Sequence, residues 1–256
     1  MKPSSLPCYF RLRSFCLFLA FVTCAGPMPL RAQPADKIAP AFRVISMVGS
    51  RNDLKYEVAP DKPLVSVPLA QSVSRLHPAP ANGRLELFRE IPPPPDAPPG
   101  TRPVRQILLT VSLPPETAQT LIVALPTGRG RGDPLIARVL PDDPRRHRAG
   151  TVEAVNLSRF QTAVALDDTN HILNVSESRI LPMGQGRLRV LVQAAVQKNS
   201  RWQPAFRAEQ RVPAGVRGFL FVSDYIPDPD YEADPLPPPA LVRILMEAAP
   251  PPPPGI

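Results

Sequence analysis

Cysteine is almost missing from this sequence. The three that occur, Cys8, Cys16 and Cys24, all precede Ala32. The rest of the chain therefore has no disulfide framework and no thiolate nucleophile. Aromatic residues are scarce at 6%, with one tryptophan, Trp202. That excludes the repeated stacking platforms that single-stranded nucleic acids require. Histidine occurs three times, as His77, His147 and His171. None has a second ligand at metal spacing, so no zinc site is expected. The nucleophile motifs G-x-S-x-G and S-x-x-K are missing. A Ser–His–Asp set assembled in space from distant residues stays open, because triads are defined by geometry and not by spacing. Clean helical periodicity is lacking too. No window carries a sustained 3.6-residue apolar stripe, and 38 prolines argue against long helices.

The N-terminus is better endowed. "MKPSSLPCYFRLRS" holds Lys2, Arg11 and Arg13 and no acid, and "FCLFLAFVTCA" follows. A basic segment and an apolar run of about ten residues make an export signal. The run is too short to span a bilayer and is broken by Gly26, Pro27 and Pro29. "LRA" ends a small-residue cleavage site at Ala32, so residues 1–32 are read as a signal peptide. The alternative is a lipoprotein anchored at Cys24, although Thr23 is larger than the residue usually found before such a cysteine. Four of the 30 basic residues lie in this segment, leaving 26 against 22 acidic. A surplus that small gives no reason to expect nucleic acid as a partner.

Beyond the signal, apolar and polar residues alternate in runs of four to eight, bounded by Pro, Gly, Asp and Asn, which predicts strands. One set is expected near 41–48, 54–58, 64–69, 84–90, 104–113, 119–125 and 135–140. A second is expected near 151–157, 162–168, 171–176, 178–183, 187–197, 202–212, 216–225 and 240–248, the last being the one segment that also suits a short helix. The fold expected is all-β: two tandem antiparallel Ig-like β-sandwiches at 37–141 and 149–248, followed by a proline-rich tail at 249–256. An internal echo supports the pairing. Each set reads strand, polar turn, strand, Asp-containing turn, strand, and then reaches "GRLELF" (83–88) or "GRLRVL" (186–191).

The basic cluster Arg145, Arg146, His147 and Arg148 falls between the two sets. Pro141, Pro144 and Gly150 interrupt strand structure around it, and Asp142 and Asp143 offset its field. It is read as the joint between domains, with solvated and screened cations. In "GRGRGDP" (128–134) the tripeptide Arg131-Gly132-Asp133 resembles an integrin-binding loop, but a flexible turn accounts for it. Asp228, Asp230, Glu232 and Asp234 alternate along "DPDYEAD" and are weak candidates for calcium. No glycine supplies the sharp turn, so an acidic solvated loop is the competing reading. Asn156-Leu157-Ser158 and Asn174-Val175-Ser176 match the glycan acceptor pattern. Trp202 with Phe206, and Phe219 with Phe221, are spaced to face one way along their strands and are expected to seam the second core.

With "TVEAVNLS", "RLRVLVQAAVQKNSRWQPAF" and "GVRGFLFV", the chain resembles exported bacterial Ig-like sandwich proteins of unassigned function. "LELFREIPPPPDAPPGTRPVRQILLT" also resembles the edge-strand region of periplasmic pilus chaperones. Here the strand continues "VSLPPETAQ", where those chaperones carry a basic-aromatic end. The resemblances imply a non-catalytic structural or protein-interaction protein of the bacterial cell envelope, periplasmic or extracellular, with an envelope protein as partner. No cofactor, catalytic residue, nucleic acid or transmembrane span is expected. The alternatives are a chaperone-like protein that binds partner strands at a sheet edge, and a hydrolase with a site in an interdomain cleft.

Overall fold

Period-two alternation builds strands throughout. The computed structural model describes residues 40–47, 49–127, 133–184, 188–226 and 237–251, all within one compact unit, Ile38–Ile256. Residues 1–32 with Cys24, expected to be an export signal, the acids Asp228, Asp230, Glu232 and Asp234, and Arg131-Gly132 lie outside the described residues.

The first half runs β1 (Ala41–Ser46), β2 (Lys55–Tyr56), β3 (Val65–Ser66), β4 (His77–Pro78), β5 (Arg84–Ile91), β6 (Val104–Ser112), β7 (Gln119–Pro126) and β8 (Leu135–Pro141). The second runs β9 (Thr151–Asn156), β10 (Thr162–Leu166), β11 (Thr169–Leu173), β12 (Ser178–Pro182), β13 (Arg189–Lys198), β14 (Arg201–Arg211), β15 (Val216–Ser223) and β16 (Leu241–Ala248). The segment that also suited a helix is β16, a strand. The two-residue β4 was not anticipated. Asn199 and Ser200 both take positive φ, at 50° and 61°, as a tight two-residue hairpin demands.

Four sheets result, ordered β4-β1-β7-β8, β3-β2-β5-β6, β12-β9-β15-β16 and β11-β10-β13-β14. Adding eight to each strand number of the first half gives the second, so the echo in the sequence is a strand-for-strand repeat. Each half also carries one register shift at the same step, between Leu87 and Phe88 and between Ala194 and Ala195. The purely antiparallel expectation needs correcting. β1 runs parallel to β7, and β9 parallel to β15.

The cores follow from side-chain parity. Phe42 and Val44 of β1 with Ile122 and Ala124 of β7 meet Leu85, Leu87 and Val111 to fill the first sandwich. Val152, Ala154, Leu220 and Val222 meet Val164, Val192 and Val196 to fill the second. The alternate residues on the same strands should face water, but a third core between the two sandwiches takes them up. Ile45, Met47, Leu121, Val123 and Leu140 pack instead against Val155, Phe219 and Phe221. The four sheets therefore stack in order, and the two inner ones are buried on both faces. This explains the near-continuous burial of β7, β9 and β15. Each half presents the same face of its equivalent sheet, as in an isologous dimer. Eight buried apolar side chains, at ~1.5–3 kcal/mol each, make this third core the main force holding the halves together.

The aromatic expectation is corrected by the same parity. Phe219 and Phe221 stack at 5.8 Å between ring centroids, but between the halves and not in the second core. Trp202 and Phe206 do not share a face. In the ladder Phe206 opposes Ala194 while Pro204 opposes Ala195, leaving Ala205 as an extra residue that reverses the alternation. Phe206 packs on the core, and Trp202 is 41% exposed.

Candidate functional site

The chemistry of the molecule is concentrated where the halves meet. At one end of the third core four charges interlock. Arg43 on β1 donates from Nε to Asp142 at 2.7 Å and from its terminal nitrogens to both Glu247 oxygens at 2.7 and 3.0 Å. Arg217 on β15 donates from Nε to Glu247 at 2.8 Å and reaches Asp142 at 2.9 Å. Arg43 and Asp142 belong to the first half, Arg217 and Glu247 to the second, so each arginine binds an acid across the joint.

The repeat explains the arrangement. Leu121 pairs with Leu140 in β7–β8, and Phe219 pairs with Leu245 in β15–β16. Two residues further on come Asp142 and Glu247, which are therefore equivalents. By the same count Arg43, opposite Leu121, is the equivalent of Glu153, opposite Phe219. Burial alone would push the Glu247 carboxyl up. The bonds and charges of Arg43 and Arg217 outweigh it and hold that carboxyl below its ordinary value. Two guanidinium and two carboxylate groups balance, and no charge is left over.

The joint contributes more than expected. Arg145, Arg146 and Arg148 are exposed, as a solvated turn requires, but His147 is 1% exposed. Its ring meets Phe219 edge-on at 4.6 Å, and its backbone oxygen accepts from Arg217 at 3.1 Å. Burial, with Arg217 nearby, lowers its pKa to about 4. His147 Nδ1 lies 3.8 Å from Glu153, which is 5% exposed. Burial, and then the charge of Asp142, raise Glu153 to about 7, against opposing contributions from Ser178, Arg146 and Arg217.

Ser178, Glu153 and His147 thus come together from β12, β9 and the joint. The order of contacts matters for what they can do. The acid sits between the serine hydroxyl, which donates to it, and the imidazole. In a nucleophilic triad the imidazole must stand in the middle to take the serine proton. Here the carboxyl holds that middle position, and the imidazole does not touch the hydroxyl. Glu153, Ser178, Arg146, Arg179 and Ile180 instead line an open cleft of about 450 Å³. Arg179 is held at 2.6 Å by Glu177.

The remaining sequence candidates have structural duties. His77 is buried against Phe42 at 5.5 Å, beside Tyr56, and His171 lies on edge strand β11, half-buried. Among the described residues no group of three or more His, Cys, Asp or Glu is placed to hold a metal, and no helix is long and apolar enough to cross a membrane. Asn156 is 0% exposed. Its amide donates to the carbonyls of Phe160, Leu173 and Asn174, and its oxygen accepts from Ser158. Asn174, in the other acceptor motif, is exposed.

Sequence reasoning missed Arg43, Glu153, Arg217 and Glu247. One signal was available: a charged residue inside each of four otherwise apolar runs, "AFRVIS", "TVEAV", "VRGFLFV" and "ILMEA". Neither the family models nor the curated proteins contain a match to this chain.

Proposed function

We propose that this chain is an exported, non-catalytic interaction protein of the bacterial cell envelope, which presents the edge strand β6 to an extended segment of a partner protein. The observation that carries the reading is a contrast between equivalent strands. β6 and β14 occupy the same place in the repeat, each at the end of its sheet. β14 exposes Arg201, Pro204, Arg207 and Arg211. Charges and proline in mid-strand are the standard protection of an edge. β6 exposes Val104 and Ile107, at 63% and 49%, with one charge between them, Arg105, which Glu57 pairs at 3.1 Å; Ile91 opposite Val104 is 39% exposed. Ile136 of β8, the neighbouring edge on that flank, is 53% exposed. An apolar edge whose single charge is already paired is the surface that strand addition uses.

The export segment in the sequence and the cysteine-free chain behind it support the compartment. The buried charges favour binding over catalysis between the halves, because Arg43, Asp142, Arg217 and Glu247 satisfy one another. Strand capture of a chaperone-like kind is the same surface used on an incomplete partner.

A photo-crosslinking residue placed at Ile107, and in a second strain at Trp202 on β14, tests the proposal in intact cells. A discrete adduct is expected from position 107, lost in Val104→Lys, and missing from position 202. The same adducts from both positions, or none from 107, would overturn it.

A further inference from the structure

We infer that the cleft between the joint and strand β12 is a binding site for a small oxyanion, a carboxylate or sulfate group on a ligand no larger than a monosaccharide or amino acid. This goes beyond the edge-strand reading and does not depend on it.

Arg146, exposed on the joint, supplies a guanidinium group, and Arg179 on β12 borders the cleft. Guanidinium forks match carboxylate and sulfate oxygens in geometry as well as charge. Glu177 engages Arg179, so Arg146 is the cation with the most capacity left for a ligand. Ser178 adds a hydroxyl and Ile180 a short apolar wall. A volume of about 450 Å³ is ample for one sugar ring and too small for a folded partner.

An ionised Glu153 would repel an anion, and its surroundings decide its charge. It is more than nine-tenths buried. The groups facing it are Asp142, Arg146 and His147 from the joint, Arg217 from β15, and Ser178 from β12. Asp142 is committed to two arginines. His147 is neutral above about pH 4. With its proton retained up to about pH 7, Glu153 is a neutral donor on the floor of the cleft. A carboxylic acid kept neutral by burial is a known way to hydrogen-bond an oxyanion. An anion bound beside it would hold that proton more firmly still. Binding and protonation are therefore linked, and affinity must fall as the carboxyl ionises.

Titration calorimetry of the full chain tests this with two probes, sulfate and glucuronate, between pH 5.5 and 8.5. Sulfate is fully ionised across that range, so any pH dependence belongs to the protein. Saturable binding is expected at pH 6 with both, weakening towards about tenfold per pH unit above pH 7. Arg146→Ala, an exposed change that leaves the fold intact, is expected to weaken both probes at least about tenfold, the scale of one charge-assisted contact. Glu153→Gln keeps a neutral donor and is expected to bind with the pH dependence gone. Tighter glucuronate than sulfate would show that the ring hydroxyls use Ser178 and Glu153; equal affinity would limit recognition to the anion. No saturable binding of either probe at millimolar concentration, or binding unchanged by Arg146→Ala, would overturn the inference.

Discussion

Arg217 and Asp142 come from opposite halves of the chain and meet at 2.9 Å with side chains 1% and 0% exposed. Such a pair contributes little net stability, since desolvating both ions nearly cancels their attraction. Removing one partner is different, because it strands a buried charge. Arg217→Met is expected to cost ~3–5 kcal/mol in urea unfolding, and Asp142→Leu a similar amount. Because the two act on one network, the double variant should fall short of the sum by about 0.5–3 kcal/mol. Additive costs would mean that the two residues do not communicate.

Glu153 and His147 make a second prediction, on pH. The Glu153 carboxyl is raised from 4.5 to about 7. Between those values the folded state binds the extra proton, so this group makes stability fall as pH rises. The His147 imidazole is lowered from 6.5 to about 4. Between those values the unfolded state binds the extra proton, so this group makes stability rise with pH. From about pH 4.5 to 6.5 the two slopes oppose, and the pair contributes almost no pH dependence. Glu153→Gln should unmask a rise with pH, and His147→Gln a fall, each approaching ~1.4 kcal/mol per pH unit. Urea midpoints at pH 4.5, 5.5 and 6.5 for the three proteins decide it. Parallel curves would show that folding shifts neither group.

Asn156 distinguishes two motifs that look alike in sequence. Its amide group bonds three carbonyls and is inaccessible, whereas Asn174 is at the surface. Asn156→Asp keeps the shape and replaces the donors with a carboxylate oxygen facing those carbonyls. It is expected to cost ~3 kcal/mol or more, since several buried groups lose their partner at once. Asn174→Ala should stay within about 1 kcal/mol. If the chain is secreted from a glycosylating host, mass spectrometry is expected to find glycan at Asn174 and none at Asn156.

How much of this was readable beforehand depends on which force was at issue. Strand positions followed from alternation, and fifteen of the sixteen strands fell where the pattern put them; His77–Pro78 lies in "LHPAPANG", where proline and glycine leave no apolar alternation to read. The repeat was visible as two "GRL" strands. Alternation could not reveal that both faces of β7, β9 and β15 are apolar because a second sheet covers the outer one. "LIVAL" and "GFLFV" (121–125, 218–222) carry that information as unbroken apolar runs, which mark strands buried on both sides. Nor could spacing place Trp202, because a bulge is one residue with no required side chain. The charge lattice was the least accessible. Arg43 and Glu247 lie 204 positions apart, and only the docking of the halves makes them neighbours.

Gly218 carries the last prediction. It sits on β15 between Arg217 and Phe219, which serve the joint, while its own missing side chain would point into the second core. A Cβ there would lie 2.9 Å from Met246 Sδ and 3.1 Å from Val152 Cγ2. The first separation is too short for a real contact and the second is tight, so Met246 must move and Val152 must give slightly. Met246 is the flexible one, yet it is packed against buried residues of the second core. Gly218→Ala is therefore expected to cost ~1–3 kcal/mol, the range for an overpacked core. Met246→Ala alone opens space and should cost ~2–4 kcal/mol. Combined, the two changes fill and empty the same volume, so the double variant should be more stable than the sum of the singles predicts. A strictly additive pair in thermal or urea unfolding would show that the strand shifts bodily instead, and in that case Arg217 should lose its contact with Asp142 as well.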